Sequence, residues 1–212
     1  MTVSLDKGTI EIRWHGRGGQ GTVTAAKMFA SVAVKRGYYG QSIPMFGLER
    51  SGTPVAVYSR VSKEPIQRND PVRNPDIVVI TDPSVMVFLA ASPDGKLPES
   101  IPDPRAGITD ETVFIINSPL SPEEAKKILG LEGKPNKVCT VDATKIALEE
   151  IGRNVPNTAI LGAMARILPE VVDMETVKEE LEESFGASSK LRALIPANLK
   201  AMERGYNEVR CA

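Results

Sequence analysis

Apolar and polar residues alternate over residues 9–14 and stop at a run of glycines, the pattern of a half-buried strand entering a tight turn. Residues 22–36 then place Val23, Ala26, Met28, Phe29, Ala30 and Ala33 at helical spacings, with Gly37 as the stop. Two further extended segments, 38–46 and 54–61, flank a glycine-bounded stretch. The β-branched run 76–81 has no polar alternation, which predicts a strand buried on both faces. A short helix ending near Ala91 follows, then a Pro- and Gly-rich loop over 93–107. Residues 112–117 and 137–141 read as strands. Each precedes a helix with a start signal: Ser121 as N-cap with Pro122 at the first helical position, and Asp142 as N-cap of a helix to about Ile151.

Strands alternating with helices predict an α/β fold, a largely parallel sheet flanked by helices in a Rossmann-like arrangement. From Asn157 onward the periodicity is only helical, over 157–168, 173–185 and 190–209, the last interrupted at Pro196. Residues 175–183 are Glu-rich and read as a solvated face. No linker or repeat separates these parts, so the expectation is a single domain over 1–212, with an α/β core over about 9–152 and a C-terminal helical part over 153–212.

Composition narrows the chemistry. The 212 residues carry 26 basic and 27 acidic side chains, interspersed, for a net charge of -1, so the positive footprint of a nucleic-acid binder is missing. The longest apolar run, 85–91, falls well short of the roughly 20 residues that span a bilayer, and no secretion signal is read, so a cytoplasmic protein is expected. With one histidine, His15, and two cysteines, Cys139 and Cys211, no His-Glu-x-x-His zinc site can be drawn. A [4Fe–4S] cluster needs four thiolates, so this chain alone is expected to hold no cluster and no metal. The two cysteines give no disulfide framework, which fits a reducing cytosol.

The stretch His15-Gly-Arg-Gly-Gly-Gln-Gly-Thr22 lies between the first strand and the first helix, and Gly16, Gly18 and Gly21 match the G-x-G-x-x-G spacing. Such a loop lets backbone N–H groups and a helix N-terminus meet a phosphate, and Arg17 would add a charged fork. A dinucleotide site also needs an acid about 20 residues on, at the end of the second strand. Gln41, Ser42 and Ile43 stand there, and the next acid is Glu49. No Lys-Ser/Thr follows the last glycine, so the loop is not a Walker A motif. The plain alternative is a tight strand-to-helix turn, with Arg17 and Gln20 serving a protein interface. His15 has no nucleophile in its motif and reads as a backbone-bonded residue; no catalytic residue is assigned.

The glycine motif, the segment Gln41-Ser-Ile-Pro-Met-Phe-Gly-Leu-Glu-Arg-Ser-Gly-Thr-Pro-Val55, Asp142-Ala-Thr-Lys-Ile-Ala147, Asn157-Thr-Ala-Ile-Leu-Gly-Ala163 and Asn198-Leu-Lys-Ala-Met-Glu-Arg-Gly-Tyr206 together resemble the gamma subunits of 2-oxoacid:ferredoxin oxidoreductases. The resemblance covers nearly the whole chain. It implies a subunit of an enzyme of anaerobic metabolism that decarboxylates a 2-oxoacid oxidatively and delivers the acyl group to coenzyme A. Alpha and beta subunits would bind thiamine diphosphate with Mg2+, a delta subunit would hold [4Fe–4S] clusters, and ferredoxin would accept the electrons. The absence of a Gly-Asp-Gly thiamine motif here agrees with that division of labour. The segment 46–55 looks most like pyruvate-type subunits, although Ser51 stands where a second Arg is frequent and Thr53 where Ala is frequent. Pyruvate is the first choice, with another short, branched or aryl 2-oxoacid, or oxalate, as alternatives.

Within this picture Gly16, Arg17, Gly18, Gly19, Gln20, Gly21 and Thr22 are expected to bind coenzyme A or to seat the subunit on its partners near that site. Glu49 and Arg50 are expected at a subunit interface, or else in an exposed turn. Ala159, Gly162, Ala163 and Ala165 would let another helix approach closely. Two other readings stay open: a free-standing nucleotide-dependent oxidoreductase, and a pure scaffold subunit.

Overall fold

The computed structural model describes residues 3–45, 53–186 and 189–212. Its elements in chain order are β1 (Thr9–Arg17), α1 (Thr22–Lys35), β2 (Tyr39–Met45), β3 (Pro54–Ser62), β4 (Ile77–Ile80), α2 (Ser84–Ala91), β5 (Val113–Asn117), α3 (Pro122–Ile128), β6 (Val138–Val141), α4 (Ala143–Glu150), α5 (Asn157–Ile167), α6 (Met174–Gly186), α7 (Ser189–Arg192), α8 (Ile195–Glu208) and β7 (Arg210–Cys211). The strands form one sheet in the order β2-β3-β1-β4-β5-β6-β7. Its centre, β1-β4-β5-β6, is the predicted parallel sheet. Antiparallel strands extend it at both sides: β3 beside β1 and β2 beside β3, with β7 beside β6.

The central strands are buried on both faces, as their unbroken β-branched runs require. Alternate residues feed two cores. Trp14, Ile77, Val79 and Ile115 pack with α1, α5, α6 and α8, whereas Val78, Ile80, Phe114 and Ile116 pack with α2 and α3. The Trp14 and Phe29 rings meet edge to face at 5.9 Å, and the indole N–H donates to Ser59 Oγ at 3.0 Å, which satisfies a fully buried tryptophan.

Local signals explain the helix starts. Ser121 accepts from the Glu124 N–H while Glu124 accepts from the Ser121 N–H, a complete capping box with Pro122 inside the first turn. Asp142 accepts from the Lys145 N–H at the start of α4. Gly37, with φ +86°, follows α1 as expected.

Helices α5 and α8 cross in backbone contact. A Cβ on Gly162 would sit 2.0 Å from the Met202 carbonyl oxygen, and one on Gly205 would sit 2.0 Å from that of Ala159. The small residues of α5 therefore receive α8, which also ties to α4 through Arg204, whose Nη1 lies 2.7 Å from Glu149 and 2.9 Å from Glu150.

Three sequence expectations change. The first strand runs on past Trp14 to Arg17, so Gly16 belongs to the sheet rather than to the turn. The helix expected over 190–209 is α7 and α8, with Pro196 in the first turn of α8, where a missing N–H costs nothing. The two cysteines, expected to form no disulfide, pair with each other: Cys139 lies opposite Cys211 across β6 and β7, and a disulfide joins them. A two-residue strand has no periodicity, so nothing in the sequence pattern announced β7.

Candidate functional site

Strand β1 leads into α1 on one face of the sheet, and its parallel neighbour β4 leads into α2 on the other. The carboxyl ends of adjacent strands whose helices diverge form the crevice where open α/β sheets bind ligands. The glycine motif lies at that point. Gly16 is fixed by packing: a Cβ there would sit 2.0 Å from Thr22 Oγ1 and 2.3 Å from Thr81 Oγ1. Those two hydroxyls are 2.7 Å apart, and Thr81 donates to the His15 carbonyl from both N and Oγ1. Gly18 donates its N–H to the Thr53 carbonyl at 2.9 Å.

Gly19 and Gly21 have φ of +91° and +81°, a region L side chains rarely adopt, and Gly21 is the N-cap residue of α1. Among the described residues no side chain caps α1, and no acidic residue occupies its first turn. Its N-terminal N–H groups and the positive end of its dipole are thus left for an anion. They open onto a cleft of about 380 Å³. Thr22, Val23 and Thr24 line it from α1, Arg153, Val155 and Asn157 from the α4–α5 connection and the start of α5, and Phe185, Leu191, Leu194 and Asn198 from the C-terminal helices. The lining thus combines the helix N-terminus and two arginines with an apolar contribution from Val155, Phe185, Leu191 and Leu194.

Three predicted residues behave differently from one another. Arg17 lines the cleft, but its Nε lies 2.9 Å from Asp82 Oδ2 and its Nη2 donates to Ser84 Oγ at 2.9 Å, so the fork expected on a phosphate spans the crevice to α2. Gln20 has a buried Oε1 with no hydrogen-bond partner among the described residues. His15, 3% exposed, accepts from Arg13 Nε at 3.1 Å, and burial, aided by that guanidinium, pushes its pKa down to about 3. It is a neutral packing residue at physiological pH. Arg13 is buried too and donates to the carbonyls of Pro104 and Ala106, anchoring the Pro-rich loop. Glu49 and Arg50 lie outside the described residues.

The cleft also holds residues to which the sequence assigned no binding role, although Asn157 and Asn198 each open one of the quoted motifs. Asn157 is 7% exposed, its Oδ1 has no partner among the described residues, and it packs so closely on Gly21 that a Cβ there would lie 3.3 Å from it. Asn198, by contrast, is satisfied, accepting from Thr158 at 3.0 Å and donating to the Leu194 carbonyl at 2.9 Å. Arg153 and the apolar lining come from segments more than 130 residues beyond the loop, and no local motif linked them to it. Among the described residues, no group of three or more His, Cys, Asp or Glu is placed to hold a metal, and no helix is long and apolar enough to cross a membrane.

Strand β2 bears on the dinucleotide alternative. In a dinucleotide-binding unit the second strand lies beside the first and presents its acid to the ribose. Here β3 separates β2 from β1, and Gln41 hydrogen-bonds to Arg68 and Asn69 instead.

The family described as pyruvate ferredoxin/flavodoxin oxidoreductase matches residues 11–208. The pyruvate/ketoisovalerate oxidoreductases common subunit gamma of Thermococcus kodakarensis is 42% identical over 199 residues, spanning 94% of this chain and 96% of that one. The crystal structure of pyruvate oxidoreductase subunit PORC from Thermotoga maritima superposes with a TM-score of 0.76 at 35% identity, covering 97% of this chain and 99% of that one. The 2-oxoglutarate:ferredoxin oxidoreductase of Magnetococcus marinus shares the fold at 19% identity and a TM-score of 0.68, over 95% of this chain and 31% of that longer one.

Proposed function

The chain belongs to the pyruvate ferredoxin/flavodoxin oxidoreductase family as a gamma-type subunit, and we propose that it binds coenzyme A for a multi-subunit 2-oxoacid:ferredoxin oxidoreductase. The reaction in this reading converts pyruvate, coenzyme A and oxidised ferredoxin to acetyl-CoA, CO2 and reduced ferredoxin, and the reverse, in the cytoplasm. The observation that carries it is the uncapped N-terminus of α1 in a cleft that apolar side chains also line. Coenzyme A has matching parts: a diphosphate for backbone N–H groups, and a long arm of methylenes and amides for Phe185, Leu191 and Leu194. The glycines allow the close approach that such an anion needs.

The residues fit coenzyme A and do not fit the family's other groups. Two cysteines, joined to each other on the β6–β7 edge, cannot ligate a [4Fe–4S] cluster. Clusters, and thiamine diphosphate with its Mg2+, are therefore assigned to companion alpha, beta and delta subunits, as is the contact with ferredoxin.

A scaffold role is favoured by a different observation: Gly16 and Arg17 are both engaged in internal contacts. The two readings separate on Thr24→Glu in the assembled enzyme. Thr24 is exposed in the first turn of α1, where an acid suits the helix dipole, so the fold tolerates it while a negative charge enters the anion site. The KM for coenzyme A should rise by about tenfold or more, with the KM for pyruvate unchanged. An unchanged KM for coenzyme A would leave the scaffold role.

A further inference from the structure

We infer that Arg153, and not Arg17, is the side chain that selects the ligand of this cleft, by taking a second phosphate distinct from the one at the N-terminus of α1. The inference rests on the coenzyme A reading and deepens it, because it names the feature of the ligand that the site reads.

Two arginines line the cleft, and their states differ. The Arg17 guanidinium is tied to Asp82 and Ser84, and Asp82 is itself held by Ser84, whose Oγ donates to it at 2.6 Å. Releasing Arg17 for a ligand would strand a carboxylate that is only 6% exposed, a costly exchange. Arg153 is exposed, and its side chain makes no ion pair or hydrogen bond among the described residues. A guanidinium with no carboxylate partner among the described residues, lining the same cleft as the positive end of α1, supplies a second anion position.

Asn157 is the independent sign that this cleft is built for a ligand. It stands four residues beyond Arg153, lines the same cleft, is nine-tenths buried and keeps an unpartnered acceptor. A folded chain bears the desolvation of such a group without return, unless a bound molecule brings a donor. Its neighbour Asn198 has both halves of its amide satisfied internally, so the vacancy belongs to one side chain and is not general to the cleft.

A ligand that matches carries two separate phosphate centres and N–H donors. Coenzyme A has its diphosphate and its ribose 3′-phosphate, together with amide and adenine N–H groups. 3′-Dephospho-coenzyme A keeps everything except the second phosphate, which makes it the discriminating probe.

The experiment compares both thiols as substrates of the purified multi-subunit enzyme, wild type and with Arg153→Ala, Arg153→Lys or Thr24→Glu. Arg153→Ala should raise the KM for coenzyme A about tenfold while leaving kcat and the KM for the dephospho form unchanged, and Arg153→Lys should restore most of the loss. If Arg153→Ala raises both KM values equally, or neither, while Thr24→Glu still weakens coenzyme A, the assignment of Arg153 is overturned and the coenzyme A reading stands. If Thr24→Glu and Arg153→Ala both leave every KM unchanged, the coenzyme A reading fails and this inference falls with it.

Discussion

Glycine allows close packing in two regions of this molecule, against backbone in one and against side chains in the other, and the regions differ in what they leave unsatisfied. In the α5–α8 seam, Gly162 and Gly205 let the helices touch, and the polar groups beside them are paired, as in the Thr158–Asn198 hydrogen bond. At the glycine loop, Gly19 and Gly21 turn the chain into a helix that no side chain caps, beside a buried Asn157 acceptor without a partner. Close packing alone therefore does not mark a binding site. What sets the loop apart is close packing combined with hydrogen-bonding capacity that the described residues do not use, and a buried group without a partner is costly.

The largest effect expected from this contrast is in the seam. Gly162→Ala places a Cβ against the Met202 carbonyl oxygen, a backbone atom that cannot rotate away, and should cost about 3 kcal/mol or more by chemical denaturation. A loss below about 0.5 kcal/mol would mean that the helices separate easily and that the seam is no more constrained than the loop.

The buried Arg13–His15 pair sharpens the comparison, because it is polar, buried and internally satisfied. His15 has a folded pKa of about 3, below the value near 6.5 expected when unfolded. Between those values the unfolded chain binds a proton that the folded chain refuses, so stability is present above about pH 6.5 and is lost as pH falls toward about pH 3. Lowering the pH from 7 to about 5 should cost about 2 kcal/mol from this group. His15→Gln should flatten that part of the stability profile, and an unchanged slope would show that His15 is protonated without penalty.

The smallest stability effect is expected in the cleft, at Asn157. Leucine has nearly the same shape and removes the unpartnered acceptor, so Asn157→Leu should change stability by less than about 0.5 kcal/mol or raise it slightly, while coenzyme A binding by the assembled enzyme weakens. A loss above about 1 kcal/mol with unaltered binding would move Asn157 to the structural side of the comparison.

Much of the fold was legible because its signals are local. The β-branched run of β4, the capping box before α3 and the small side chains of α5 each state their role within a few residues, and the structure places each accordingly. The glycine loop was legible as a strand-to-helix turn for the same reason. Arg17 was expected to serve an anion, and its engagement with Asp82 was hidden because Asp82 lies 65 residues away at the end of another strand. The Cys139–Cys211 disulfide was hidden likewise, behind a strand too short to have a pattern.

By itself, the sequence determined the element types, the strand-to-helix glycine turn and the family, since periodicity, caps and ordered motifs all act over short stretches of chain. Only the tertiary structure decided that Arg17 is spent on α2, that Arg153, Asn157 and the apolar lining join the loop in one cleft, and that the chain's last strand closes the sheet edge. Those facts depend on which distant segments the two cores bring together, and burial, charge pairing and hydrogen-bond satisfaction are properties of that assembly rather than of any stretch of sequence.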